Sequence, residues 1–166
     1  MDALAAKTIL EGLKEAGIDF VATLPEANLQ PLISAVDAEQ SMIHVPLARE
    51  EEGIGVCTGA YLAGKKPAMV MMDAGFLTCC NALVTLNYLS GIPLLMLVGY
   101  SGGISEKYWM HTQLGVYTEP VLKAMDVVYE VATKLSDVKS QIQDAQTWTS
   151  ISKRPVAVVL NKECLR

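Results

Sequence analysis

Three adjacent carboxylates, Glu50, Glu51 and Glu52, stand between Arg49 and Gly53 at the start of a segment that continues GIGVCTGAYLAG. Acidic groups in a first helical turn are stabilised by the helix dipole, so the cluster is explained either as a solvated cap or as a carboxyl used in proton transfer. His111 is a second candidate, set in an expected loop with Tyr108, Trp109, Thr112 and Gln113. Imidazole is the side chain whose ordinary charge change falls near neutral pH, although a lone loop histidine is most often exposed and inert. Cys79 and Cys80 lie near an expected helix start, where a thiol can be activated, but buried packing is the simpler role for both. Lys65 and Lys66, before Pro67, read as a solvated turn. Gly102 and Gly103 lack the following pattern of a G-x-G-x-x-G fingerprint, and no G-x-x-x-x-G-K-[ST] occurs, so nucleotide phosphate loops are not expected. The four cysteines, Cys57, Cys79, Cys80 and Cys164, show no C-x-x-C spacing. Neither a zinc site nor a disulfide framework is expected, no metal ligand is assigned to this chain, and the thiols read as reduced and cytoplasmic.

The elements that must position these groups follow from periodicity. Apolar residues at helical spacing through Ile9 and Leu13 predict a first helix ended by Gly17. Phe20 to Leu24 reads as a strand, and Leu29, Leu32, Ile33 and Val36 as a helix. The alternation continues with strand Met42–Val45, helix Glu51–Ala63, strand Ala68–Met72, helix Thr78–Leu89 and strand Leu94–Val98. It ends with helix Val116–Met125, strand Val127–Glu130, helix Leu135–Thr149 and strand Val156–Leu160. Runs such as AMVMM, LLMLV and VAVVL are apolar throughout, as strands covered on both faces must be. The expectation is an α/β fold, a doubly wound, six-stranded and mainly parallel sheet with helices on both faces, as one domain over residues 1–166.

In such sheets ligands sit beyond the carboxyl ends of the strands. The segments to watch are therefore 25–28, 46–53, 73–78 and 99–115, the last being the longest expected irregular stretch. Gly53, Gly55 and Gly59 weaken their helix, which predicts close approach by another element. Thirteen Lys and Arg against eighteen Asp and Glu give a net charge of -5, which argues against a nucleic-acid partner. The opening residues lack a signal peptide pattern, and the apolar stretch from Ala74 to Ser105 is broken by Asn81, Asn87, Gly91, Pro93 and Gly99, so no membrane span is expected either.

Four segments together resemble the pyrimidine-binding (PYR) domain of thiamine diphosphate enzymes, within them the sulfopyruvate and phosphonopyruvate decarboxylases. They are GIDFVATLPEANLQPLI (17–33), VPLAREEEGIGVCTGAYLAGKKPAMVMMDAG (45–75), NALVTLNYLSGIPLLMLVG (81–99) and HTQLGVYTEPVLKAMDVVY (111–129). The resemblance implies a cofactor, thiamine diphosphate, whose aminopyrimidine N1′ is hydrogen-bonded by a glutamate opening the helix after the second strand. Counting from Gly59 puts that glutamate at Glu50, with Glu51 as the one-residue alternative. The resemblance further implies that Pro25 and Glu26 lie near the pyrimidine edge, that Gly75 lets a backbone approach the ring, and that His111 lies near the carboxylate or leaving group of a 2-oxo acid substrate.

The chain departs from its relatives at Asp73-Ala74-Gly75-Phe76-Leu77-Thr78, where they carry an N-S-G-L-G-N-like loop. It also lacks the G-D-G element and downstream asparagine that hold Mg2+ and the diphosphate in the family. The resemblance thus implies half an active site, with Mg2+ held by a diphosphate-binding (PP domain) beta subunit in a hetero-oligomer. The activity implied is decarboxylation of sulfopyruvate or a similar anionic 2-oxo acid. The altered 73–78 segment motivates an alternative, a non-catalytic assembly subunit that keeps the fold; a flavodoxin-like binder acting alone has only the doubly wound pattern in its favour.

Overall fold

The computed structural model describes residues 1–102 and 106–165. Its six strands are β1 (Phe20–Thr23), β2 (Ile43–Pro46), β3 (Pro67–Met72), β4 (Leu94–Gly99), β5 (Val128–Ala132) and β6 (Pro155–Leu160). They form one sheet in the order β2-β1-β3-β4-β6-β5, and every pairing is parallel, so the sheet is wholly rather than mainly parallel. β1, β4 and β6 are buried along their length and β3 up to its last residue, whereas β2 and β5 at the two edges are partly exposed. Fully buried runs such as LLMLVG and PVAVVL are what a sheet covered on both faces requires.

Alternate residues of each central strand feed two separate cores. Val21, Ala68, Val70, Leu95 and Leu97 pack under helices α1 (Ala3–Glu15), α2 (Gln30–Ala38) and α7 (Leu135–Ser152). Ala22, Met69, Met71, Met96 and Val98 pack under α3 (Glu50–Leu62), α4 (Asp73–Thr78), α5 (Cys80–Ala82, running into a π-helical turn over Leu83–Tyr88) and α6 (Trp109–Ala124). Burial of these side chains is the main stabilising term, at about 25 cal/mol per Å² of apolar surface removed from water.

Two expected boundaries move. The helix after β3 begins at Asp73, not Thr78, so residues 73–78 form a helical turn rather than a loop. The helix before β5 begins at Trp109, not Val116, and His111 therefore sits in its first turn rather than in an irregular loop. Both shifts have one cause, a glycine that works against helix in the local pattern but is needed for a distant contact. A side chain on Gly115 would overlap the carbonyl oxygen of Ser101 and stand 2.8 Å from Gly102 Cα, so only glycine lets α6 lie on the chain leaving β4. Gly75 plays the same part beside Glu50, described below.

The strand order reverses twice. From β1 the chain goes to β2 on one side and then to β3 on the other; from β4 it passes over to β5 and returns to β6. Each reversal leaves a crevice beyond the carboxyl ends of the strands. The carboxyl edge thus has two corners, one at β1, β2 and β3, the other at β4 and β6.

Candidate functional site

At the first corner, β2 ends at Pro46 and α3 starts four residues later with Arg49 as its extended N-cap, which brings Glu50, Glu51 and Glu52 into the first turn. β3 ends at Met72 and α4 starts at once. The two helix starts converge so that Glu50 lies on Gly75: a Cβ at Gly75 would stand 2.5 Å from Cδ of Glu50. A methyl group there would have to displace the Glu50 side chain, and the half-buried Glu50 carboxyl is seated against bare backbone. Glu51 has a different partner, the exposed guanidinium of Arg49 at 2.7 Å. The geometry separates the two carboxylates that sequence counting left one residue apart.

The expectation of close packing along the glycine-rich helix holds at one end only. A Cβ at Gly53 would meet Leu47 at 2.5 Å and Met69 Cε at 2.6 Å, whereas Gly55 has only Leu86 at 4.0 Å and Gly59 has nothing within 4 Å. Gly55 and Gly59 are exposed, together with Leu62.

Glu26 and Pro25 follow β1. Glu26 lines a narrow crevice with Met72, Gly99, Ser101 and Lys162. Its carboxylate is already used, accepting from the Leu29 N–H and the Asn28 side-chain amide, both at 2.8 Å, and so it caps the turn into α2. Pro25 is exposed. The structure brings Glu50 and Gly75 into contact; Glu26 stands in the neighbouring crevice, and His111 at the second corner.

That second corner rests on residues that the sequence reading did not single out. Asp73 is fully buried at the head of α4. It accepts from the Ser101 N–H at 2.7 Å, the Ser101 hydroxyl at 2.9 Å, the Ala74 N–H at 2.9 Å and the Thr118 hydroxyl at 3.3 Å. Burial pushes its carboxyl above the ordinary aspartate value, against those hydrogen bonds. Asp73 thereby ties the chain leaving β4 and the middle of α6 to the end of β3. The Tyr100 hydroxyl adds a bond to the Gly115 carbonyl at 3.2 Å.

Further along, Glu106 pairs with Lys162, two residues past β6, and lies 3.9 Å from His111 Nδ1. A crevice of about 210 Å³ opens between Asn28, Glu106, Lys107, Tyr108 and Lys162. Lys162 was findable, because the rule that ligands gather past strand ends applies to β6 as well, yet 161–165 was not among the segments flagged. Gly103, within the flagged loop, lies outside the described residues.

The cysteines are packing groups. Burial pushes the Cys57 and Cys79 thiols up to about 12 and Cys164 to about 11, so none is poised as a thiolate. Cys80 is also raised by burial. Among the described residues no three His, Cys, Asp or Glu side chains converge as a metal site would require. No described helix is long and apolar enough to cross a membrane.

Residues 4–120 match the family described as thiamine pyrophosphate enzyme, N-terminal TPP binding domain. The chain is 32% identical over 157 residues to the sulfopyruvate decarboxylase subunit alpha of Methanococcus maripaludis, spanning 95% of this chain and 94% of that one. It is 31% identical over 157 residues to the subunit of the same name from Methanothermobacter thermautotrophicus, spanning 95% of each. It is also similar to the sulfopyruvate decarboxylase of Methanosarcina acetivorans, 35% identical over 143 residues that make up 82% of this chain and 36% of that protein.

Proposed function

Because the chain belongs to the family of thiamine pyrophosphate enzyme N-terminal, TPP-binding domains, we propose that it is the PYR-type alpha subunit of a cytoplasmic, heteromeric thiamine diphosphate-dependent decarboxylase acting on sulfopyruvate or a similar anionic 2-oxo acid. The observation that carries the site assignment is the seating of Glu50 on Gly75. A carboxyl at the edge of a cleft, seated directly on glycine backbone, fits a flat heteroaromatic ring with a nitrogen to protonate. The match to alpha subunits over nearly their full length supports the same reading.

When bound, thiamine diphosphate supplies the electron sink that accepts the pair left by departing carbon dioxide. This chain's part is to hold and orient. Glu50 holds or gives a proton at its carboxyl oxygen toward the aminopyrimidine nitrogen N1′. Gly75 gives the Glu50 carboxyl its seat and so lets that backbone come close to the ring, and Pro25 and Glu26 border the ring's edge. His111 meets the substrate carboxylate or its product and moves a proton there. The absence of a G-D-G element, with no converging metal ligands among the described residues, motivates placing Mg2+ and the diphosphate on a PP-domain beta subunit.

Reconstitution tests the proposal. The chain mixed with a PP-domain subunit, Mg2+ and thiamine diphosphate should release carbon dioxide from sulfopyruvate, while the chain alone binds the cofactor weakly in calorimetry. Tight, Mg2+-dependent binding by the isolated chain would overturn the division of the site, and a well-assembled complex that decarboxylates nothing would favour a non-catalytic assembly role.

A further inference from the structure

The second corner holds a carboxylate that none of the steps above uses. The Glu106 side chain has no exposed surface. Its Oε2 accepts from the Gly102 N–H at 3.0 Å and from the Lys162 ammonium; its Oε1 accepts from the N–H groups of Lys107 at 2.8 Å and Tyr108 at 3.0 Å. Four donors fill the four lone-pair positions of a carboxylate. Lys162 beside it holds the carboxyl down to about 2, so the charge is present throughout the neutral range. The Tyr108 bond also ties the carboxylate to the N-cap of α6, the helix that carries His111 in its first turn.

His111 faces this charge. Its Nδ1 lies 3.9 Å from Glu106 Oε2, is shut away from solvent and has no hydrogen-bond partner among the described residues. The Tyr108 ring packs beside the imidazole, with centroids 5.4 Å apart. A neutral imidazole carries one proton and must place it on one of two nitrogens. A lone pair on Nδ1 would point at a negative oxygen with no donor among the described residues between them, whereas an N–H there is attracted to it. With Nδ1 and the carboxylate side chain themselves shielded from water, solvent screens this difference less than it would between exposed groups.

We propose that Glu106 is a positioning residue for His111: it fixes the neutral ring with the proton on Nδ1 and leaves the lone pair on Nε2 as the base that meets substrate. Lys162 serves the arrangement by neutralising and anchoring the carboxylate, so that it orients the ring without drawing it into a direct bond. The proposal deepens the decarboxylase reading and rests on it for the statement that His111 meets substrate.

The test reads the ring itself. The full chain contains two histidines, and the other, His44, has both ring nitrogens engaged, Nε2 with the Thr23 hydroxyl and Nδ1 with Asp37, each at 2.8 Å. A long-range proton–nitrogen NMR correlation on the 15N-labelled chain at about pH 9 shows which nitrogen of a neutral ring carries hydrogen. The expected result is an Nδ1-bound proton on His111 in the wild type, lost to Nε2 in Glu106→Gln and kept in Glu106→Asp, with the His44 signals unmoved. A wild-type ring protonated on Nε2 overturns the proposal even if every variant misfolds, and so does a Glu106→Gln ring that keeps its Nδ1 proton. The decarboxylase reading is judged separately by His111→Ala in the reconstituted complex. A wild-type rate there removes His111 from the reaction whatever the tautomer experiment shows.

Discussion

The two corners of the carboxyl edge reach their geometry by different routes. At the first, Glu50 and Gly75 are each placed by a strand that passes quickly into a helix, β2 into α3 and β3 into α4, and the sheet order does the rest. At the second, position depends on side chains binding far along the sequence: Ser101 and Thr118 to Asp73 across 28 and 45 residues, and Lys162 to Glu106 across 56. A site held by strand–helix junctions inherits the rigidity of the sheet. A site held by a polar network depends on every member, since each unpaired group left inside carries its own desolvation cost. Mutations should therefore act locally on chemistry at the first corner, and on both chemistry and stability at the second.

The largest effect is expected at the first corner. Glu50→Gln keeps the volume but cannot shuttle a proton, so in the reconstituted complex exchange of the cofactor's C2 proton into deuterated solvent should slow by about 10²–10⁴-fold, with turnover falling in parallel and assembly intact. Glu51→Gln removes only a partner of exposed Arg49 and should leave exchange near wild type. If the loss instead follows Glu51, the register is wrong by one residue. Gly75→Ala provides a second route to the same corner, because its methyl group must displace the Glu50 carboxyl; exchange should fall while the far-UV dichroism stays that of the wild type.

At the second corner, His111→Ala should lower kcat/KM by about 10²-fold and leave cofactor affinity nearly intact, the pattern of a group that acts on substrate and does not hold the cofactor. An unchanged kcat/KM would confine the chemistry to the first corner.

This division also explains what could be read from the sequence. Six strands, their alternation with helices and the two-faced burial were legible, because period and apolar runs report local structure directly. So was the cluster of three carboxylates opening α3. The contact with Gly75 that sets Glu50 apart from Glu51 was not, since it depends on where β3 lies relative to β2. The start of α6 was missed by seven residues, because Gly115 counts against helix in any local scan, and only its fit against Ser101 and Gly102 accounts for it. Asp73 looked like one position in a variant loop. Ser101 and Glu106 fell within the 99–115 segment but, like Thr118, gave no signal of their own, being ordinary polar residues whose partners are remote.

Asp73→Ala should expose the dependence of the second corner on its network. It leaves the Ser101 N–H and hydroxyl and the Ala74 N–H without their acceptor in a buried setting, at a cost of roughly 2–4 kcal/mol by chemical denaturation. An effect below about 0.5 kcal/mol, the range of ordinary surface changes, would mean that the chain leaving β4 is held in some other way.

The smallest effects concern acid, and they set the two buried-side carboxylates against each other. Burial raises Asp73 above its ordinary value of 3.8, so the folded state holds that proton more tightly than the unfolded one. Its contribution is complete below about 3.8 and is lost as pH rises through the raised folded value. Glu106 is lowered from 4.5 to about 2, first by Lys162, so its contribution is complete above 4.5 and is lost as pH falls through about 2. Thermal unfolding followed from pH 6 down to pH 2 should therefore show opposite trends. The gap in Tm between wild type and Glu106→Gln should close toward acid, and the part of the Asp73→Asn gap that depends on pH should grow toward acid. Parallel trends would mean that one of the two carboxylates does not keep its folded environment in solution. Were it Glu106, the enclosed charge facing His111 would be missing, and the second corner would lose the feature that distinguishes it from an exposed histidine at a helix start.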